Sequence, residues 1–594
     1  MVVLSTQLER LSYTRKDLEL IDAEVDRFIT TFIPVIKNTG RANAGRLFLR
    51  VIESLLDKLN YSLDMRFRQS VLRTVTELQA ALDITELVRY VPAGVSPATA
   101  DLRITTLTGP APAGGISIPQ YQAFTTESSP TKQFISLESV SIPEGSSEFS
   151  PLPVVQGVRI VNQTIIASAV GDPNEEVRIP VSNTPHEYLE IVVDGDSFII
   201  KDDLKDSESE DRHCMLRDDK DRFTTVMFGD GTYGVKLSPS AVVTATYIQT
   251  LGEAGNTPSG YINKVIGSLS ALISVTNDEQ ASGGFDGDTV EDIVRKAPLL
   301  ASTARGADTP GADFYRASND IDFEILAQKL VPGVFSALAD LGVGSLVTLY
   351  IMPAGGGVAS STLLQAVETA LTPRIIHGAS VVAKSIIAAR ILISMSVVLQ
   401  SNKVNKSVAR KKIFETISSF KLDGSVNPDG ALYYRNLTIG RGFALSDMSS
   451  LLENIDKGSF IDYVDFIVFT RYPSAISVNP LTTVEFVGEI EPLESSSYDD
   501  WVIVATSTTT FALLKNGIVD SYGTIGVQHA SSEGSIRFTL GLSTDVFDPS
   551  ADTWSFKTSE YRNNIRLDRF EFMELAHDHD LSIDVFYPGE LNLG

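Results

Sequence analysis

The sequence predicts a multidomain α+β protein, ordered as an N-terminal helical segment, a β-rich domain, central α+β domains and a C-terminal β domain. Three observations carry that expectation. At 594 residues the chain can form about three to five domains of ordinary size. Apolar residues recur at helical spacing up to about residue 90 and then switch to the alternation of strands. Both periods return between 316 and 473, and only the strand period remains beyond 474.

In the helical segment, Thr14 and Asp17 have capping-box spacing ahead of a stripe formed by Leu18, Ile21, Val25, Phe28 and Phe32. Leu47, Val51, Leu55 and Leu59, widened by Phe48, Ile52 and Leu56, form a second stripe. Leu63, Phe67, Val71, Val75, Leu78 and Leu82 form a third. Three amphipathic helices with little between them can pack on one another or on a partner's helices.

Pro92 and Pro97 end the helices. Alternating pairs then mark strands from Asp101 to about Tyr261: Leu102 and Ile104, Ile116 and Ile118, Val158 and Ile160, Ile191 and Val193, Phe198 and Ile200. The acidic run from Asp202 to Asp221 reads as a solvated loop, because it lacks the Asp-x-Asp-x-Asp-Gly order of a calcium loop. In Phe228-Gly229-Asp230-Gly231-Thr232-Tyr233-Gly234, Asp-Gly lies between the alternating runs Val226, Phe228 and Tyr233, Val235, Leu237. Both turn residues tolerate positive φ, so a β-hairpin is expected here. A further strand, Val243, Ala245 and Tyr247, leads to Gly252-Glu253-Ala254-Gly255-Asn256.

Phe-Gly-Asp-Gly-x-x-Gly, a strand ending in Tyr, and then Gly-Asn resemble a signature of the baseplate J-like family. These are wedge proteins of contractile phage tails and related injection machines. A second ordered set, Asn277, Ala281-Ser282-Gly283-Gly284-Phe285-Asp286, Glu291-Asp292, Arg295-Lys296-Ala297-Pro298, Arg305, Thr309 and Asp313-Phe314-Tyr315, resembles that family's central segment. Physically, Gly283-Gly284 permits a tight reversal. Asp288 or Thr289 can cap a helix with acids in its first turn and Arg295 and Lys296 nearer its end, matching the helix dipole.

From 316 to 473 the order is strand (Leu346 to Ile351), Gly355-Gly356-Gly357, helix (Ser361 to Leu371, stopped by Pro373) and paired strands (Ala379 to Leu399). Helices around Val404 to Phe420 and Leu451 to Ile455 follow, then a strand through Val464, Phe466 and Val468. The tail shows strands at Val484–Phe486, Trp501–Val504, Phe511–Leu514 and Ile536–Leu540. The expected domains are 1–90 (helical assembly segment), 91–265 (β-rich, carrying the hairpin), 266–335 (helical and turn connector), 336–473 (α+β ring contact) and 474–594 (C-terminal β).

Composition excludes several classes. With 75 acidic against 49 basic residues, a net charge of -26 leaves no basic surplus to neutralise phosphates, so no nucleic-acid partner is expected. The single Cys214 excludes an intrachain disulfide and a multi-cysteine metal site, and suits folding in a reducing cytoplasm. The first residues lack the order of a signal peptide. The most apolar stretch, Ala379 to Leu399, is interrupted by Lys384 and Arg390, so two strands rather than a membrane span are expected.

Reactive motifs fail in turn. His186-Glu187-Tyr188-Leu189-Glu190 begins like a zincin helix but has Glu where the second His is needed. His577-Asp578-His579-Asp580 offers metal-ligand types without a third partner and reads as a solvated turn. Gly355-Gly356-Gly357 lacks the Lys-Ser/Thr of a phosphate loop and reads as a plain flexible loop. No Gly-x-Ser-x-Gly elbow occurs. No enzyme, metal or cofactor is therefore expected.

The resemblance, covering roughly residues 40–473, implies a structural wedge subunit placed in the tail baseplate and assembled in the host cytoplasm. It implies association with further copies of the chain, with other wedge proteins, with the sheath initiator and with the central hub or spike. It also implies ring rearrangement coupled to sheath contraction. Leu47, Val51, Leu55, Leu59, Leu63, Phe67, Val71 and Val75 are the expected assembly face, and the tail domain, which lies outside the resemblance, is expected to meet either a peripheral baseplate protein or the tail-fibre network. The alternatives are a polysaccharide-degrading tail enzyme, which would carry a β-helix repeat, and a secreted β adhesin, which would carry an export signal.

Overall fold

The computed structural model describes residues 44–87, 92–302, 319–341, 346–375, 380–440, 445–455, 460–471, 499–541, 546–561, 569–575 and 581–588, apart from a few short gaps, plus scattered positions between. Thr14 to Ile21, Phe32, Arg305 to Tyr315 and His577 to Asp580 lie outside the described residues. The fold is multidomain α+β and rich in strands. The chain divides into two units, each taken by itself: residues 1–93, 218–221 and 287–303, and all the rest.

In the smaller unit, α1 (Ala44–Gln69) runs for 26 residues, about 39 Å at 1.5 Å per residue. It is one helix, so Leu63 and Phe67 continue the stripe that begins before Leu59 and do not open a new segment. The break comes at Ser70–Glu77 instead. There the Gln69 side-chain oxygen accepts from the amides of Thr76 (3.1 Å) and Glu77 (3.2 Å), satisfying donors at the start of α2 (Leu78–Leu87). α2 packs on α3 (Val290–Ser302), with Ala81, Ile293 and Ala297 buried. The Thr289 hydroxyl accepts from the Asp292 amide while Asp292 accepts from the Thr289 amide, a reciprocal cap. Asp288 is fully buried, accepting from the Ala93 amide (2.8 Å) and pairing with Lys296 (2.7 Å).

The larger unit opens with a six-stranded antiparallel sheet in which Thr99–Thr106 lies between Glu148–Gln156 and Ile273–Asn277. Ile273–Asn277, expected in the helical connector, is thus an edge of the first sheet, since Ile273 and Val275 alternate into its core. A seven-stranded sheet with its own core around Val226, Phe228 and Tyr247 is built from residues 158–249. The expected hairpin is absent from it. Phe223–Phe228 pairs with Glu176–Ser182, and no strand follows until Val243–Gln249, which pairs with Val158–Ile166 and Glu190–Val193. The acidic run is also not merely a loop, because His213–Asp218 pairs in parallel with Asp196–Lys201.

Next come α4 (Asp320–Leu330) and a three-stranded sheet. Its central strand Leu346–Pro353 is antiparallel to Val334–Leu341 and parallel to Ser380–Ser385, the crossover carrying α5 (Ser361–Leu371). Ser380–Ser385 and Ile387–Leu399 are two strands, as expected, but they do not pair with each other. Ile387–Leu399 pairs antiparallel with Ile461–Arg471 and parallel with Glu571–Glu574 and Leu581–Phe586. Strands near the end of the chain therefore complete the α+β core, against which α6 (Lys406–Ile417) and α7 (Leu445–Glu453) pack through Ile413, Ile417, Met448 and Leu452. The sheet continues through Thr553–Tyr561, Asp499–Ala505 and Thr510–Lys515 to Ile518–Thr524. That part has a separate aromatic core of Trp501, Phe511, Phe538, Phe547, Trp554 and Phe556.

Candidate functional site

The two signature stretches fold into different places. Phe228 is buried edge-on against Phe198, with ring centroids 5.4 Å apart, and anchors the first stretch in the seven-stranded sheet. The loop after it closes on itself. The Asp230 carboxylate accepts from the amides of Thr232 (2.7 Å) and Tyr233 (2.8 Å), and the Gly231 amide donates to the Gly234 carbonyl (3.0 Å). Those amides hold the exposed carboxyl below the usual aspartate range. Gly231 has φ +89°, which a glycine adopts without strain. Gly229 lies directly against the backbone of Gly234. The residues that follow bond to the acidic segment instead of to Phe223–Phe228: Gly234 donates to the Glu208 carbonyl (3.1 Å) and Val235 to that of Asp211 (2.8 Å).

The second stretch forms a joint. Four segments meet at residues 280–286: the first sheet, the turn Gly252–Asn256, the loop Ala354–Ser361 and the run Tyr433–Arg435. Ser282 and Thr99 exchange backbone bonds (2.7 and 3.0 Å), and Gly283 donates to the Ala354 carbonyl (2.7 Å). The Asn256 amide group clamps Gly284 from both sides, accepting from its N–H (2.9 Å) and donating to its carbonyl (3.0 Å). Asp286 accepts from the Glu253 amide (2.8 Å). A Cβ on Gly284 would sit 2.7 Å from the Asn256 side-chain oxygen and overlap the Gly252 carbonyl. One on Gly355 would sit 2.6 Å from the Asn256 nitrogen. The triple glycine, expected to be a plain loop, is therefore a close-packing surface.

Polar groups bolt the joint further. Asp101 accepts from the Ser361 amide (2.9 Å) at the N-terminus of α5, where Ser360 is the cap residue, and Ser360 shares a hydrogen bond with Thr99 (2.6 Å). Tyr433 and Tyr434 both donate to one oxygen of Glu253, at 2.9 Å for Tyr434. Arg435 donates to the Tyr434 oxygen (3.0 Å) and lies within 6.0 Å of the Phe285 and Phe335 rings. Burial, and then Glu253, push the Tyr434 hydroxyl upward. Lys132 is 4% exposed and donates to the carbonyls of Asn256 (2.6 Å) and Gly424 (3.3 Å). Burial pulls its ammonium down to about 8, against the pull of Asp423. Such an arrangement fixes the relative position of sheets.

Of the expected assembly face, Val51, Leu55, Leu59, Leu63, Phe67 and Val71 are exposed, Leu59 by 60%. Val75 is buried and presents nothing outward, because it lies in the turn ahead of α2 rather than on the stripe of α1. The side chain of Leu47 lies outside the described residues. His186–Tyr188 is a single 3-10 turn, which cannot carry the zincin spacing. Cys214 is buried, which pushes its thiol up to about 12. Among the described residues, no helix is long and apolar enough to cross a membrane. Asn256 was visible in the sequence only as part of Gly-Asn. Glu253, Lys132 and the Tyr-Tyr-Arg run carried no sequence signal beyond the rule that a buried Tyr or Lys needs a partner.

No protein-family profile matches the chain, and no curated protein matches it. Among solved structures, it is similar to a chain of the anti-feeding prophage (AFP) baseplate determined by cryo-EM with six-fold symmetry. That likeness has 13% identity, covers 75% of this chain and 86% of the other, and has a TM-score of 0.25.

Proposed function

We propose that the chain is a structural wedge subunit of the baseplate of a contractile injection machine, working through shape and switchable contacts rather than through a reactive centre. The reading rests on the two ordered sequence signatures that resemble the baseplate J-like family. The observation that carries it furthest is the use of the second signature, in which Gly283, Gly284 and Asp286 are spent on holding sheets together. The exposed stripe of α1 supplies an apolar face of the kind that assembles with other helices. In this reading α1 joins further copies of the chain or other wedge proteins. Residues 336–473 make ring contacts, the tail domain meets peripheral components, and ring rearrangement is coupled to sheath contraction.

The test is reconstitution. The full-length chain, mixed with the products of neighbouring genes and followed by size-exclusion chromatography and negative-stain imaging, is expected to form wedge-shaped hetero-oligomers. Leu55→Glu with Leu59→Glu is expected to abolish them while leaving the melting temperature unchanged. Complete, infectious particles assembled without this gene would refute the reading.

A further inference from the structure

The turn His186–Tyr188 is anchored on both sides of its middle residue. Pro185 and Leu189 are buried, and Tyr188 packs against Ile135, Val155 and Ile248. Glu187 itself stays open to water. It shares a groove with α5, which turns Leu363, Val367 and Leu371 inward and leaves Thr362, Ala366 and Ala370 along its outer side. Leu330 and Val331, where α4 ends, supply a further wall. The groove holds about 400 Å³. That is the small end of the roughly 300–1,000 Å³ of ligand clefts, room for a side chain or two rather than for a large cofactor.

Glu187 is the only charged residue in this lining. Among the described residues its carboxylate has no hydrogen bond or ion pair. Burial lifts the carboxyl above the usual glutamate range, against the pull of His186, so a negative charge here is short of partners. Charges beside the groove are already engaged. Glu368 accepts from the Ala383 amide (2.8 Å), Arg374 donates to the Ala370 carbonyl, and Lys329 has a contact of its own. The Thr369 hydroxyl is taken as well, donating to the Gln365 carbonyl (2.8 Å). A largely apolar trough with one unpaired carboxylate is complemented by a side chain with an aliphatic stem and a cationic head. No aromatic ring lines the groove for a guanidinium to stack on, which favours the compact ammonium of lysine over arginine.

We propose that this groove is a docking site for a lysine side chain of another protein, its stem lying on Leu330, Ala366 and Ala370 and its ammonium pairing with Glu187. The inference stands independently of the baseplate reading.

The probe is the peptide acetyl-Ala-Ala-Lys-Ala-Ala-amide, titrated into the full-length chain labelled with 13C at its alanine methyls and followed by NMR. The Ala366 and Ala370 methyls are expected to shift, and binding is expected to weaken with added salt. Affinity is expected to fall about fivefold or more in Glu187→Gln, which removes one charge-assisted pair. Replacing the peptide's lysine by norleucine should cost as much. Ala366→Leu, which fills the groove from the outer side of α5, should also remove binding. Both substitutions lie at the surface and leave melting unaltered. Unshifted methyls, an equal response to the norleucine peptide, or unchanged affinity in either variant would each overturn the proposal. So would tighter binding of cadaverine than of the peptide, because the occupant would then be a small amine. Self-association in sedimentation that Glu187→Gln abolishes would also reject it, because the occupant would then be a second copy. Should a variant fold poorly, the wild-type chain decides, through the place of the methyl shifts and the lysine–norleucine comparison.

Discussion

The two glycine-aspartate turns look alike in sequence and do opposite work. At Asp230-Gly231 the glycine is required for its conformation: φ is +89°, and a Cβ would approach nothing closer than Lys236 at 3.7 Å. At Gly283-Gly284 the second glycine is required for its size, because Asn256 and the Gly252 carbonyl occupy the space of a side chain. The aspartates differ likewise. Asp230 ties its own exposed loop, whereas Asp286 ties a turn some thirty residues upstream in the chain. A local turn can be read from neighbouring residues, but a joint depends on what arrives from elsewhere.

The largest expected effect is at the joint. Gly284→Val places a branched side chain into backbone and the Asn256 clamp, and neither can move without opening the contact to Gly355. A loss of about 4 kcal/mol or more is expected, read by urea unfolding or by failure to fold. A mild effect would show that the four segments are not rigidly joined.

Lys132 ranks second. Its ammonium is lowered by burial to about 8 from an ordinary value of 10.5. Between those values the unfolded chain binds more protons than the folded one, so stability rises with pH across the window. Below about 8 the cost of burying the charge is fully present, on the order of 3 kcal/mol. Lys132→Met is expected to remove this rise, measured as the difference between wild-type and variant unfolding at pH 7 and pH 10. A difference that does not change with pH would mean that the ammonium is solvated, and one that falls would mean that its partners favour the charge.

Gly231→Val ranks third, at about 1–3 kcal/mol, the strain of a β-branched residue at positive φ with no steric clash added. If it cost as much as Gly284→Val, the distinction between conformation and size would collapse.

The same distinction explains what was legible. α5 begins and ends where Ser360 and Pro373 set it, because caps and breakers are local. Gly283-Gly284 was legible as a reversal, yet Asn256 and Gly355, which make it a joint, arrive from other segments. Strand identity at 387–399 followed from alternation, but its partners at 461–471 and 581–586 left no mark on its own residues. The hairpin at Asp230 failed for a related reason. The Asp-Gly signal fixes the turn, while strand pairing is decided by which edge is free, and Glu176–Ser182 already held that place.

The smallest effect should come from Asp230 itself. Its carboxyl is held low by the Tyr233 and Thr232 amides but lies at the surface, so screening by water limits what the ion contributes. The sign is fixed: a lowered folded value means that the contribution is present above the ordinary aspartate range and lost as pH falls through the folded one. Asp230→Asn keeps an acceptor oxygen and removes the charge. It should therefore melt slightly below wild type at neutral pH and together with it in acid. Carboxyl titration by NMR gives the sharper measurement, because a shift survives there even when its effect on melting is lost in error. Titration at the ordinary aspartate value would mean that the loop does not hold its two amide bonds in solution, and Gly231 would then lose the fixed positive φ on which its contrast with Gly284 depends.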